Sequence, residues 1–208
     1  MRKYIVEFIG TFFLVLTIGL AVIGDGAGAM APLAIGSVLM VMVYAGGHIS
    51  GAHYNPAVTL AVWLRGRCAS QDVPIYMIVQ VVAGAVAAAI VLFLKSGAEI
   101  SAASPNVVPA LLVEFLFTFS LAYVVLNSAT SKNTDGNSFY GLAIGFTVLA
   151  GAYATGNISG GVFNPAVAVG ITVMGLSSIS NIWIFLVANF LGGAVAGLLF
   201  NFLNPDDQ

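Results

Sequence analysis

Apolar runs of membrane-spanning length recur along the chain, near Tyr4–Gly24, Leu33–Gly47, Val73–Leu94, Val108–Asn127, Phe139–Tyr153 and Asn181–Phe202, separated by short polar or glycine-rich breaks. Crossing a hydrocarbon core takes about 20 mostly apolar residues, with a wide range. The pattern therefore predicts an all-α membrane protein with six spanning helices, the second and fifth being shorter and rich in glycine. The first begins close to the start, with no small-residue cleavage pattern behind it, so it is expected to stay as a helix rather than leave as a signal peptide.

Two polar interruptions share one phrase. "GHISGAHYNPAVTLAV" covers Gly47–Val62 and "GNISGGVFNPAVAVGI" covers Gly156–Ile171, with Asn55 and Asn164 109 residues apart. Further pairs keep nearly this spacing: "EFIGTF" at Glu7 returns as "EFLFTF" at Glu114, and "QVVAGAVAA" at Gln80 as "NFLGGAVAG" at Asn189. The chain reads as one channel domain, 1–208, made of two copies of one unit, 1–95 and 108–208, joined by the linker 96–107. Each copy holds three spans, an odd number, so equivalent points approach from opposite membrane faces. This is an inverted repeat, which places sites near the midplane where the repeats meet.

"GGHISGAHYNP" is too polar and too rich in glycine to span as a helix, and irregular backbone at membrane depth survives only where it is buried in protein or lines a water-filled cavity. A re-entrant loop is expected. Pro56 and Pro165 suit a first helical position, where the missing N–H is not needed. Asn55 and Asn164 suit the cap before it, where the side-chain oxygen accepts a backbone N–H and the amide NH2 is left as a free donor. Ala57 and Ala166 then lead into apolar runs of about ten residues, roughly 15 Å of helix, half of a core of about 30 Å. Two such half-helices from opposite faces meet at the centre with their positive dipole ends facing. That centre donates hydrogen bonds to a neutral oxygen and repels cations, and a narrow pore for neutral solutes follows.

Composition sharpens the membrane reading: 60% of the residues are hydrophobic and 7% charged, against about a quarter charged in soluble domains. With the N-terminus cytoplasmic, Arg2, Lys3, Arg65, Arg67 and Lys132 fall inside and only Lys95 outside, as the positive-inside rule requires. The C-terminus is then cytoplasmic too. A net charge of −2 and the absence of a basic patch argue against a nucleic-acid partner. Cys68 is alone, which excludes an intramolecular disulfide. His48 and His53 with that cysteine fall short of a metal site, and no phosphate or dinucleotide motif is present, so neither metal nor cofactor is expected. Gln80 and Asn189 read as interhelical hydrogen-bonding residues, and Asp206 and Asp207 as an exposed tail.

The two "NPA" boxes at inverted-repeat spacing, "GHISGAHYNPAVT", the "EFIGTF" opening and the glutamate in the fourth span resemble the aquaporin, or major intrinsic protein, family over essentially the full chain. The resemblance implies six spans, two re-entrant half-helices, a passive pore in each protomer and a homotetramer in the lipid bilayer. It gives Asn55 and Asn164 the role of orienting the permeating molecule. Glu7 and Glu114 would brace the loops, and His48 would order the first of them. The same resemblance exposes a departure: the family usually follows the second box with arginine, and this chain has Val167. Carrying over the other filter positions lands on Ile35, twenty before Asn55, and on Ala152 and Gly161, twelve and three before Asn164. Ile, Ala, Gly and Val make a small, apolar set, with Tyr153 the neighbour able to refill the space.

The expected function is therefore passage of water with relaxed selectivity for small uncharged solutes such as glycerol, urea, ammonia or hydrogen peroxide. A proton- or ion-coupled secondary transporter competes, since broken helices in inverted repeats also build those. Coupling needs titratable groups at the site, however, and the only acids within the spans are Glu7 and Glu114. An enzyme is not expected, because no nucleophile and base pair is in place. Short loops point to a bacterial inner membrane.

Overall fold

The computed structural model describes residues 1–207, whose regular elements are helical apart from one isolated bridge between Ala103 and Ser177. The long helices are α1 (Arg2–Val22), α2 (Ala31–Ser50), α4 (Val73–Leu94), α5 (Val107–Val125), α6 (Tyr140–Thr155) and α8 (Ile182–Leu203), with two nine-residue helices, α3 (Pro56–Leu64) and α7 (Pro165–Val173), between them. Five helical stretches, those built on α1, α2, α4, α5 and α8, are long and apolar enough to cross a membrane, and α6, with 16 residues, is a shorter apolar helix.

Outward faces carry bare apolar side chains, among them Phe93 at 78% and Phe202 at 80% exposure, which only lipid or another subunit would cover. Inside, Ala57, Ala87, Ala166 and Ala196 are fully buried. Helices in lipid gain little from hydrophobicity and are held by close contact between small residues. The packing is symmetric under exchange of the halves: α1 lies on α4 as α5 lies on α8, and α2 lies on α6. Each short helix docks on the other half, α3 on α8 and α7 on α4. At those crossings Gly193 meets the Ala57 carbonyl and Gly84 the Ala166 carbonyl, with no room for a Cβ at either.

Two expectations are corrected. The polar phrase is not irregular throughout: α2 continues through "GGHIS" to Ser50 and stops at Gly51, whose φ of 86° ends it. The helical backbone satisfies itself at membrane depth, so only residues 51–55 leave regular structure. Nor is Asp207 part of an exposed tail. Arg65, whose side chain is fully buried, donates to the Asp207 carboxylate at 2.9 Å and carbonyl at 2.7 Å, and to the Thr130 hydroxyl and carbonyl, both at 2.9 Å. Its guanidinium lies 4.7 Å from the centre of the Phe200 ring. A buried guanidinium demands partners for its donors, and folding the segment after α8 back over it supplies them. A π-helical turn at Leu126–Thr130 presents Thr130 to the same group.

Candidate pore centre

The N-termini of α3 and α7 meet in the middle of the molecule. Asn55 Oδ1 accepts the Ala57 N–H at 2.8 Å, and Asn164 Oδ1 accepts the Ala166 N–H at 2.9 Å. With each oxygen turned to its own helix, each amide nitrogen faces the other half: Asn55 Nδ2 donates to the Phe163 carbonyl at 2.8 Å and Asn164 Nδ2 to the Tyr54 carbonyl at 2.9 Å. The amide is thus not wholly free, as the sequence reading had it. One of its two N–H groups ties the halves together, which leaves the other as the spare donor.

The loops before the asparagines repeat a rare backbone. Ala52 and Tyr54 hold φ of 51° and 49°, and at the equivalent positions Gly161 and Phe163 hold 67° and 49°. Left-handed conformations cost non-glycine residues of order 1–3 kcal/mol each and persist only where the surroundings fix them. Glutamates fix them here. Glu7, fully buried, accepts from Ser50 Oγ (2.7 Å), His53 N (2.9 Å), Tyr54 N (2.7 Å) and Gln80 Nε2 (2.8 Å). Glu114, equally buried, accepts from Ser159 Oγ (2.7 Å), Val162 N (2.8 Å), Phe163 N (2.7 Å) and Asn189 Nδ2 (3.0 Å). The serine hydroxyls in turn accept from Ala52 N and Gly161 N. The N–H groups of 52–54 and 161–163 are thereby consumed, and carbonyls are the spare polar groups of these loops. Ser50 and Ser159 escaped the sequence reading, although "SG" stands at the same place in both copies of the phrase.

His48 does not order the loop. It is exposed and lines a cavity, while the buried His53 lies with Nδ1 3.1 Å from Thr59 Oγ1 and its ring edge-on to Tyr76, centroids 5.1 Å apart. A helix that continues through Ser50 carries His48 away from the irregular turn, and His53 falls inside it.

Two cavities flank the centre. One, of about 300 Å³, brings together Asn55, Asn164 and all four filter positions, Ile35, Ala152, Gly161 and Val167, within walls that are otherwise largely apolar, including Leu14, Ile18, Leu39 and Ile171. Tyr153 is 51% exposed and outside that wall, so it does not refill the space. Beyond the centre lies a cavity of about 730 Å³ with a polar lining that includes His48, Arg67, Ser128, Thr130 and Asn137. Cys68 lines neither.

Residues 1–200 match the model of the family described as major intrinsic protein. The chain belongs to the major intrinsic protein family. Among its relatives, glycerol uptake facilitator protein-like 6 of Lactiplantibacillus plantarum is 36% identical over 218 residues, covering all of both chains. Aquaporin NIP1-4 of Oryza sativa subsp. japonica is 34% identical over 213 residues, 98% of this chain and 77% of that one. In three dimensions this major intrinsic protein shares the fold of the solved aquaglyceroporin from Plasmodium falciparum, with a TM-score of 0.79 at 21% identity over 96% of this chain and 95% of that one. It is a passive channel for water and small solutes and not an enzyme. None of these likenesses supports the coupled transporter that an inverted repeat also allows.

Proposed function

We propose that this major intrinsic protein passes water together with small uncharged solutes, glycerol, urea, ammonia or hydrogen peroxide, through a wide, apolar filter. The observation that carries the reading is that Ile35, Ala152, Gly161 and Val167 share one cavity with Asn55 and Asn164 and bring no side-chain donor to it. Missing bulk admits solutes larger than water, while missing donors make the constriction less hospitable to water, since apolar constrictions dewet. Asn55 and Asn164 turn the permeating oxygen with their remaining N–H groups. Pro56, Ala57, Pro165 and Ala166 open the half-helices whose positive ends repel cations, and Glu7 and Glu114 hold the loops that carry the asparagines. The repeats 1–95 and 108–208 form one channel domain, and a homotetramer follows from the family.

The orientation belongs to the same proposal. Arg67 lies 3.9 Å from Asp207 beside Arg65, Lys132 N donates to the same carboxylate, and Lys3 pairs with Asp72 in the loop that follows α3. This basic end is taken as cytoplasmic, with both termini there, in the inner membrane of a bacterium, and the larger cavity is then the cytoplasmic vestibule.

Stopped-flow light scattering on proteoliposomes tests the reading. The native chain is expected to pass glycerol, and Val167→Arg to cut that flux by about tenfold or more while water flux survives, because the longer side chain narrows the constriction and adds donors that a water molecule can use, and pore diameter and lining donors set selectivity. Exclusion of glycerol by the native chain, with fast water, would overturn the wide filter.

A further inference from the structure

The linker between the repeats does not hang free over the pore. Ala98 and Ile100 pack against the core, Ala103 N donates to the Leu176 carbonyl at 2.9 Å, and Asn181 Nδ2 donates to the Ala103 carbonyl at 3.2 Å. A parallel bridge joins Ala103 to Ser177. Fastened this way, Ser101, Ala103 and Pro105 become wall residues of the same cavity that holds the filter, facing the turn after α7.

Ser177 stands out in that turn. It lines the cavity, is 4% exposed, and its buried hydroxyl has no hydrogen-bond partner. A buried hydroxyl without a partner costs free energy, and rotation about one bond lets it meet whatever occupies the cavity. Ser101, on the linker side, offers a second hydroxyl at the exposed rim. The other polar side chains of that cavity lie toward its centre, Asn55, Asn164 and His53, or are committed, Ser159 to Glu114 and Tyr54 to the Met42 carbonyl, and the N–H groups of 161–163 are consumed by Ser159 and Glu114. Donors on the outer side therefore come from the linker and from the turn it is pinned to.

We infer that Ser177, with Ser101, forms an outer station for small polyhydroxylated solutes of glycerol size, each hydroxyl able both to donate and to accept. A polyol presents a hydroxyl on each carbon, so it reaches this pair while its next hydroxyl meets the carbonyls of 160–162. The cavity of about 300 Å³ lies at the small end of the range for small-molecule sites, roughly 300–1,000 Å³. The inference rests on the channel reading above and adds the element that favours a polyol over water.

The test measures glycerol and water permeability in proteoliposomes of the native chain, Ser177→Ala, Ser101→Ala with Ser177→Ala, and Ser178→Ala, a half-buried neighbour outside the cavity wall. Removing an unpartnered hydroxyl leaves no group stranded, so Ser177→Ala is expected to fold. Its glycerol-to-water ratio should fall about three- to tenfold, the worth of one net hydrogen bond, and further in the double variant, with Ser178→Ala like the native chain. Native flux with an unchanged ratio in both Ser177 variants would overturn the station and leave the channel standing. Native flux no faster than empty vesicles would overturn the channel reading and the station with it.

Discussion

Loop 51–55 and loop 160–164 follow one course through the molecule. Ala52 and Tyr54 match Gly161 and Phe163 in backbone conformation, and a glutamate with four hydrogen bonds pins each loop. Around them the side chains diverge. His53 and Thr59 make a polar contact in the first half. The repeat puts Val162 and Ala168 in their places in the second, and on that side Val167 and Gly161 face an apolar cavity while the opposite vestibule is polar. Backbone course and solute chemistry are thus separable: duplicated glutamates set where the loops run, and in the function proposed above a few unduplicated side chains set what passes.

The sharpest way to break this equivalence is to remove the glutamates one at a time. Glu7→Ala and Glu114→Ala should each cost well over 3 kcal/mol, because each removes four hydrogen bonds and strands two buried loop N–H groups, at about 1–3 kcal/mol for each stranded group. Size-exclusion profiles in detergent should show folded protein lost in both, and survival of only one variant would mean that the two loops are held differently. Next in size, Asn55→Ala and Asn164→Ala each remove a cap worth about 0.5–2 kcal/mol, together with one bridge between the halves. Thermal unfolding in detergent should fall by similar amounts for the two.

Rewriting the first loop in the image of the second, with His53→Val and Thr59→Ala together, removes the three contacts of Thr59 Oγ1, with His53 Nδ1, the Asn55 carbonyl and Gln80 Nε2, and should cost about 1.5 kcal/mol, the low end of three net hydrogen bonds, because Gln80 still reaches Glu7, the Asn55 carbonyl still accepts the Thr59 N–H and Glu7 keeps its partners. A larger loss would show that the histidine belongs to the frame and not to the chemistry. Smaller again is the effect of pH on the Asp207 clasp. The Ser131 hydroxyl first, then the Lys132 N–H and Arg65, hold the Asp207 carboxyl below the usual carboxylate range. A depressed folded pKa contributes stability that is present above the unfolded value of about 3.9 and is lost as pH falls through the folded one. Hydrogen exchange at residues 204–207 should therefore be insensitive to protonation of this group from pH 5 to 8 and loosen only below about pH 4. Smallest of all, Tyr153→Ala should leave the glycerol-to-water ratio within about twofold of native, since losing an exposed side chain away from special features costs little.

Much of this arrangement was legible in the letters. Asn, Pro and Ala have local reasons to start a helix, and two copies separated by an odd number of spans must face each other whatever lies between, so the half-helices and their meeting point followed from sequence. Hidden were the contacts that depend on where a helix stops or which way a planar group turns. "GGHIS" reads as a breaker by composition yet stays helical to Ser50, which carries His48 out of the turn and leaves His53 inside it. The capping oxygen of Asn55 was readable, but the partner of its nitrogen lies in Phe163, 108 residues away. Arg65 and Asp207, 142 residues apart, gave no periodic signal at all.

The crossed amides also bear on how the molecule comes into being. Asn55 finds its acceptor only in the second repeat, and Asn164 finds its own only in the first. During synthesis, the first half therefore reaches the bilayer with its loop unfinished, docked on nothing that α8 and Phe163 will later provide. Conduction must await the last helix. A nascent or truncated chain holds half of a doorway and no passage, so the host membrane stays tight until the whole protein is in place.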